Sequence, residues 1–487
     1  MKILFATPEA VPFVKTGGLA DVSGALPRVL AQMGHEVTLI LPKYLQVNET
    51  RFPLDKKEVT LKVPVGQKTE EGEVYSVDLA PRLRALLIRQ DAYYHRDHLY
   101  GTVNGDFEDN AERFIFFSRS VLEAALALDL QPDIIHCHDW QTGLIPVYLK
   151  TLYRQLVARR ASASVLTVHN LAYQGLFWHH DMPMTNLGWE LFNPQGLEFY
   201  GKINFLKGGI VFADAVTTVS RKYMEEIQTE EFGCGLQGVF QDRRQDLYGI
   251  LNGVDYQEWS PETDPFIKQR YGPGNLRGKQ ECKADLQQEF RLEPKGDAPL
   301  IGVISRLIEQ KGADLILANM ESMVALGVQF VLLGTGEEKY HLRFQKCSEQ
   351  YPRQIGVKIG FDNALAHKIE AGADIFLMPS RYEPCGLNQI YSLKYGTVPI
   401  VRATGGLDDT IQDFTPENPE GNGFKFVEYS PSCMLETIKR ALYVYQSKFH
   451  WEKLALRGMA ADFSWEQSAR AYLQVYQKAL ARQKSET

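Results

Sequence analysis

The chain lacks paired cysteines, a basic surplus and any apolar run of membrane-spanning length, and each absence excludes a class of protein. Its six cysteines (Cys137, Cys234, Cys282, Cys347, Cys385 and Cys433) stand far apart with no Cys-x-x-Cys. That is the pattern of reduced thiols rather than of a disulfide framework. The segment His136-Cys137-His138-Asp139 has the residue types of a metal cluster. Side chains on a strand alternate faces, however, and no second ligand group stands nearby, which argues against zinc. Basic residues number 53 against 60 acidic, a net charge of −7. Nucleic acid is therefore an unsuitable main partner, because phosphate neutralisation needs a basic face. No window reaches the roughly 18 apolar residues of a membrane span, and no basic segment leads into an apolar one at the start of the chain. These absences predict a cytoplasmic protein with no membrane partner.

What is present is chain enough for two or more cored domains: 487 residues, 44% hydrophobic and 23% charged, an ordinary globular composition. Strand-like runs at residues 2–7, 36–41, 86–89, 133–136, 165–169 and 215–219 alternate with helix-like stretches. One such stretch, 111–127, has the apolar face Phe114, Phe117, Val121 and Leu122. A second strand series lies at 300–305, 330–333, 357–360, 375–378 and 398–401. This alternation predicts parallel sheets covered by helices. The expected fold is α/β, two Rossmann-like doubly wound domains facing across a deep cleft. They are placed at 1–250 and 251–463, with a hinge at Leu251-Asn252-Gly253-Val254-Asp255 and the Pro- and Gly-bearing stretch 260–277. A terminal helix over 464–487 starts at the capping-box spacing Ser464-Trp465-Glu466-Gln467. Its apolar residues Ala471, Leu473, Val475 and Tyr476 are expected to cover part of the first domain.

The most informative stretch is Lys15-Thr16-Gly17-Gly18-Leu19-Ala20-Asp21-Val22, which follows the first strand and opens a helix. Paired glycines let a backbone approach a ligand, and the helix start behind them presents N–H groups to an anion. Lys15 adds a cation at the lip and Asp21 a carboxylate one turn inside. The pattern recurs as Thr404-Gly405-Gly406-Leu407-Asp408-Asp409 after another strand. Two such loops suggest a phosphorylated sugar held by both halves.

Other strand ends carry candidate groups, because open α/β sheets bind ligands beyond the carboxyl ends of their strands. Arg306 and Lys311 are close enough for one loop to bring a forked donor and a point charge to one phosphate. Glu383, in Arg381-Tyr382-Glu383-Pro384-Cys385-Gly386-Leu387, suits sugar hydroxyls or, alternatively, a helix start. Asp139, Trp140 and His169 close two strands of the first half. Trp140 reads either as a sugar-stacking ring or as core, and His169 either as functional or as a packed structural histidine. No Asp-x-Asp occurs, so the paired-carboxylate metal clamp of many sugar transferases is missing. Lys15, Arg306, Lys311 and two helix starts would neutralise a diphosphate without one.

Together these motifs resemble the bacterial glycogen synthase and plant starch synthase family. The match runs through residues 15–22, 136–143, 167–176, 251–255, 305–312, 334–336, 380–387 and 404–407. The resemblance implies two domains of the GT-B type and a retaining transfer of glucose from ADP-glucose to the non-reducing 4-hydroxyl of an α-1,4-glucan, with no cofactor and no metal. It places Lys15 on the donor phosphate, Gly17 and Gly18 against the diphosphate, and Arg306 and Lys311 on the leaving nucleotide. Glu383 would hold the glucosyl hydroxyls, with Cys385, Gly386 and Leu387 in the same loop. Thr404, Gly405 and Gly406 would form a second phosphate loop. His169 would lie beside the glucosyl ring, its backbone carbonyl facing the developing positive charge. Asp139 and Asn252 fall in the sugar pocket, and Asp21 where donor or acceptor hydroxyls are expected. The chain departs from familiar members at Phe361, often a Tyr stacked on the base, at Asn388, often Thr or another small residue, and at Asp408, often Ala. These departures bear on nucleotide preference. The implied mechanism is front-face displacement, in which the departing phosphate accepts the acceptor's proton and no protein nucleophile is needed. Two competing readings are a transferase making a small glucoside from UDP-glucose and a non-catalytic glucan-binding protein. The latter would be marked by loss of Lys15, Arg306, Lys311 or Glu383, and all four are present.

Overall fold

The structure is a computed structural model that describes residues 1–102, 105–156 and 162–486; residue 487 of the expected terminal helix lies outside them. Packing divides the chain into two units, one of Met1–Val219, Met224–Leu251 and Trp465–Thr487, the other of Ser220–Tyr223 and Asn252–Ser464. Ser220–Tyr223, expected in the first domain, thus belongs with the second. The reason is local bonding. Ser220 Oγ donates to Pro384 O at 2.6 Å, and the Lys222 N–H donates to the Asp409 carboxylate at 3.0 Å.

The first unit is built on nine strands: β1 (Lys2–Ala6), β2 (Glu36–Pro42), β3 (Asp55–Val65), β4 (Lys68–Ala80), β5 (Leu83–Arg89), β6 (Ile134–His138), β7 (Ala163–Val168), β8 (Ala215–Thr218) and β9 (Leu247–Gly249). Their order in the sheet is β9-β8-β7-β6-β1-β2-β5-β4-β3. The strands from β9 to β5 are parallel, and β6 and β7 are buried along their whole length. Such strands, covered on both faces, read as continuous apolar runs. Helices α1 (Gly18–Gln32) and α2 (Asn110–Ala127) follow the expected periodicity; Phe114, Phe117, Val121 and Leu122 are all buried. The antiparallel pair β3–β4 was not expected. In β3 only Leu61, Val63 and Val65 are buried, and its first four residues are all charged, so it carries a weak strand signal. The terminal helix, Trp465–Glu486, packs on this unit. Its buried stripe is Trp465, Ala469, Tyr472, Val475, Tyr476 and Ala479, the spacing of one helical face. Ala471 and Leu473, expected in that stripe, are only half-buried.

The second unit has an all-parallel sheet of β10 (Leu300–Leu307), β11 (Gln329–Gly336), β12 (Ile355–Ile359), β13 (Ile375–Met378), β14 (Val398–Arg402) and β15 (Phe424–Phe426), in the order β12-β11-β10-β13-β14-β15. One face packs Ile301, Val303, Phe330 and Ile375 under Met320 and Trp451; the other packs Val331, Leu333 and Phe376 under Leu286 and Ile369. Helices α3 (Ala313–Ala325), α4 (Asn388–Lys394) and α5 (Gly405–Thr410) follow β10, β13 and β14. In each sheet the first parallel strand is central, so the strand order reverses beside β1 in one unit and beside β10 in the other. The crevice at such a reversal is where doubly wound sheets take ligands. Among the described residues no helix is long and apolar enough to cross a membrane.

Candidate active site

In the first unit the loop between β1 and α1 is tied down by a carboxylate that motif reading missed. Glu9 is buried, and its Oε2 accepts from the Thr16 N–H at 2.7 Å and the Thr16 hydroxyl at 2.6 Å. Burial raises its pKa, and the hydrogen bonds from Thr16 act against that rise. Thr7 Oγ1 donates to Glu9 O at 2.8 Å, fixing the start of the same loop. Beyond it Gly17 caps α1 with extended backbone and no side-chain cap. A Cβ on Gly18 would meet nothing within 4 Å, so this face of the loop is open. Lys15 Nζ lies 2.7 Å from Asp21 Oδ1, with the two side chains 50% and 33% exposed. A pair that exposed is worth under about 1 kcal/mol, so Lys15 can leave its partner at little cost.

Asp139 and His169 stand at the ends of β6 and β7, beside the reversal. Asp139 has φ 55°, a left-handed conformation that a non-glycine residue holds only under surrounding constraint. The constraint is visible: its N–H donates to Thr167 O at 3.0 Å, and its Oδ1 accepts from the His169 N–H at 2.7 Å. Burial pushes the Asp139 carboxyl up to about 7, against bonds from the backbone of His169 and Asn170. The His169 ring is held neutral, its pKa lowered to about 3 by burial, with Nε2 2.9 Å from His138 Nδ1. Trp140 corrects an expectation. It is buried, edge-on to Phe114 at 4.9 Å and tilted on Phe177 at 5.6 Å. A Cβ on Gly175 would sit 2.5 Å from its ring. Trp140 is core, not a surface for stacking a sugar. Among the described residues no group of three or more His, Cys, Asp or Glu is arranged to hold a metal ion.

In the second unit β10 delivers Arg306 and the following 3₁₀ turn, Glu309–Lys311, delivers Lys311. Gly312 makes this possible with φ 76° and a close pass of Pro379 O, 2.2 Å from where a Cβ would stand. Arg306 and Lys311 stand in different surroundings. Lys311 Nζ is paired with Glu383 Oε2 at 2.5 Å, their side chains 19% and 8% exposed. Ser380 Oγ donates to the same oxygen at 3.1 Å. Arg306 is exposed and its side chain has no partner among the described residues. One cation is therefore anchored to the glutamate, and one is free to meet a ligand.

The loop after Glu383 is held from two sides. Cys385 is buried against Asn252, and its thiol is pushed up to about 12, so it is inert. Asn252 is buried, with Oδ1 unpartnered among the described residues. Gly386 takes φ 69°, Leu387 precedes α4, and Asn388 Nδ2 donates to Ile304 O at 2.9 Å. Thr404, buried, stands at the cap of α5. Gly405 and Gly406 correct a second expectation. A Cβ on Gly405 would lie 1.9 Å from Glu383 O, and one on Gly406 2.0 Å from Cys385 O. The Gly406 N–H donates to Glu383 O at 3.1 Å and Pro384 O at 3.2 Å. These glycines clamp the glutamate loop, backbone on backbone, rather than standing open for a phosphate. Phe361 is 89% exposed after Gly360, a free aromatic face. Asp408 pairs with Lys425 at 2.6 Å.

Glu9, His138, Ser380 and Ser220 were missed because their partners are set by the fold. The only signal in the sequence was a polar residue at or near a strand end.

Comparisons with known proteins agree with this organisation. A family model described as starch synthase catalytic domain matches residues 2–242, and one described as glycosyl transferases group 1 matches residues 285–453. The chain is 51% identical over 480 residues to a glycogen synthase of Koribacter versatilis, covering 98% of each chain. It is 47% identical to a glycogen synthase of Pseudothermotoga lettingae, covering 99% of each. Among solved structures, the catalytic domain of starch synthase IV from Arabidopsis thaliana, bound to ADP and acarbose, superposes with a TM-score of 0.89 at 32% identity, covering 99% of both chains.

Proposed function

This chain belongs to the glycogen synthase and starch synthase family, a glucan-building hexosyltransferase of the GT-B type, and from that premise we propose how its residues divide the reaction. ADP-glucose is the donor and the non-reducing end of an α-1,4-glucan the acceptor. Arg306, unpartnered and exposed, takes the leaving diphosphate, and Lys311 joins it from the glutamate pair as negative charge develops. Glu383, oriented by Lys311 and Ser380, accepts hydrogen bonds from the glucosyl hydroxyls. Lys15 and the open start of α1 serve a donor phosphate. Asp139 holds the backbone of His169, whose carbonyl faces the developing oxocarbenium charge. The departing phosphate takes the acceptor's proton as the new bond forms on the same face, so no protein nucleophile is required. Turnover is expected to survive a chelator.

The observation that carries this reading is the Lys311–Glu383–Ser380 cluster beside the unpaired Arg306, at the strand reversal of a chain with these relatives. Unpaired cysteines and the acidic balance support a cytoplasmic enzyme that does not act on nucleic acid. The test is transfer of radiolabel from ADP-glucose and from UDP-glucose onto glycogen, with and without chelator. Label entering polymer from ADP-glucose in both conditions is expected. Label confined to a small glucoside, or strict dependence on metal, would overturn the proposal.

A further inference from the structure

Among buried polar groups that this chemistry leaves unused, the histidines at the end of β6 lead furthest. His136 and His138 project from one face of the strand, with ring centroids 4.1 Å apart. Phe5 of β1 lies near-parallel to the His138 ring at 4.2 Å, and His138 is fully buried. Its main chain is clamped as well. The His138 N–H donates to Thr142 Oγ1 at 2.6 Å, and that hydroxyl donates back to His138 O at 2.8 Å. Of its ring nitrogens, Nδ1 is 2.9 Å from His169 Nε2, whereas Nε2 is buried with no hydrogen-bond partner among the described residues.

These contacts decide where the protons sit. Burial holds both imidazoles neutral, and a neutral ring carries a single proton. A proton on His138 Nε2 would be a buried donor with no acceptor, which folded proteins tolerate less than an unmatched acceptor. The proton therefore belongs on Nδ1, donated to His169 Nε2, and His169 carries its own proton on Nδ1. We propose that His138 is a positioning residue that fixes the tautomer and ring angle of His169, while its neighbour Asp139 fixes the main chain of the same residue. His136 takes no part: its nitrogens are taken by Thr167 Oγ1 at 2.7 Å and the Tyr476 hydroxyl at 2.8 Å. The inference rests on the assignment of His169 to the reacting sugar.

The test uses the full chain labelled with ¹⁵N-histidine, the His169 signals being identified by their loss in His169→Gln. A proton on Nδ1 of His169 is expected, and a proton on Nε2 would overturn the proposal. In steady-state kinetics on glycogen, His138→Leu is expected to lower kcat on the order of tenfold to a hundredfold, the scale of a misplaced reacting group, with KM for ADP-glucose near that of the parent. His138→Asn, whose Nδ2–H stands in for the lost donor, should recover most of the rate. Melting temperatures of both variants separate lost folding from lost positioning. Unchanged kcat in a well-folded His138→Leu would refute the role. Normal turnover by His169→Gln would show that the ring does not act on the sugar, refuting the positioning role while leaving the carbonyl reading of His169 standing.

Discussion

Thr-Gly-Gly-Leu occurs once in each unit, and the two copies do different physical work. Both start a helix, at Gly18 and at Gly405. In the first unit the glycine face is empty, the loop being held from behind by Glu9 through Thr16. In the second, the glycines are buried against the carbonyls of Glu383 and Cys385. One copy leaves room for a ligand and the other removes a side chain so that two main chains can touch. Glycine marks a close approach in both cases, but only the neighbours say what approaches.

Substitutions separate these roles, beginning with the largest effect. Gly406→Ala forces a methyl into Cys385 O and is expected to destabilise the second unit by about 3 kcal/mol or more, read as a fall in the denaturation midpoint with loss of turnover. Gly18→Ala should leave stability level or slightly higher, because alanine favours helix by about 1 kcal/mol over glycine, and should lower only activity. Equal destabilisation by both would erase the contrast. The charged pairs offer a second comparison. Lys311→Ala removes the partner of a buried carboxylate and is expected to cut kcat by roughly a hundredfold or more, the scale of one charge-stabilising group. Lys15→Ala, from an exposed pair, should show its loss mainly in KM for ADP-glucose. A Lys311→Ala enzyme with near-normal kcat would remove Lys311 from the reaction.

A third, smaller effect is a pH slope contributed by the first unit. The Asp139 carboxyl titrates at about 7 when folded, against 3.8 ordinarily, so between those values the folded state binds the extra proton. Its contribution to stability therefore falls as pH rises through that window and is level above it. Asp139→Asn should flatten the decline in melting temperature between about pH 4 and pH 7. An unchanged slope would assign the proton to another buried carboxyl, Glu9, whose pKa is also raised, or Glu370, pushed by burial to about 8. Smallest of all, Asp408→Ala breaks a half-exposed pair with Lys425 and should shift chemical denaturation by under about 1 kcal/mol.

How much of this was legible beforehand follows from burial. The parallel strands announce themselves because both faces are covered, so β6, β7 and β10 read as apolar runs ending in polar residues. The hairpin β3–β4 was invisible because its outward face is charged, and Trp140 was ambiguous because a ring at a strand end can face either way. Candidate site residues inside motifs could be named from the sequence, although the pairing of Lys311 with Glu383 could not. Its hydrogen bond spans 72 positions, and Glu9, His138 and Ser220 act through contacts that no local spacing encodes. Sequence locates the strand ends; only folding decides which ends meet.

The interleaving of the two units has a practical consequence for dissection. A gene divided after residue 251 would encode two polypeptides, neither of them whole. The first would lose Trp465–Glu486 and with it the hydroxyl that Tyr476 brings to His136, baring an aromatic seam behind β6. The second would want Ser220 from beneath Pro384. Expressed apart, both halves should be insoluble or quickly degraded, and a truncation at the tail would be felt first at β6 and β7, against which the terminal helix packs.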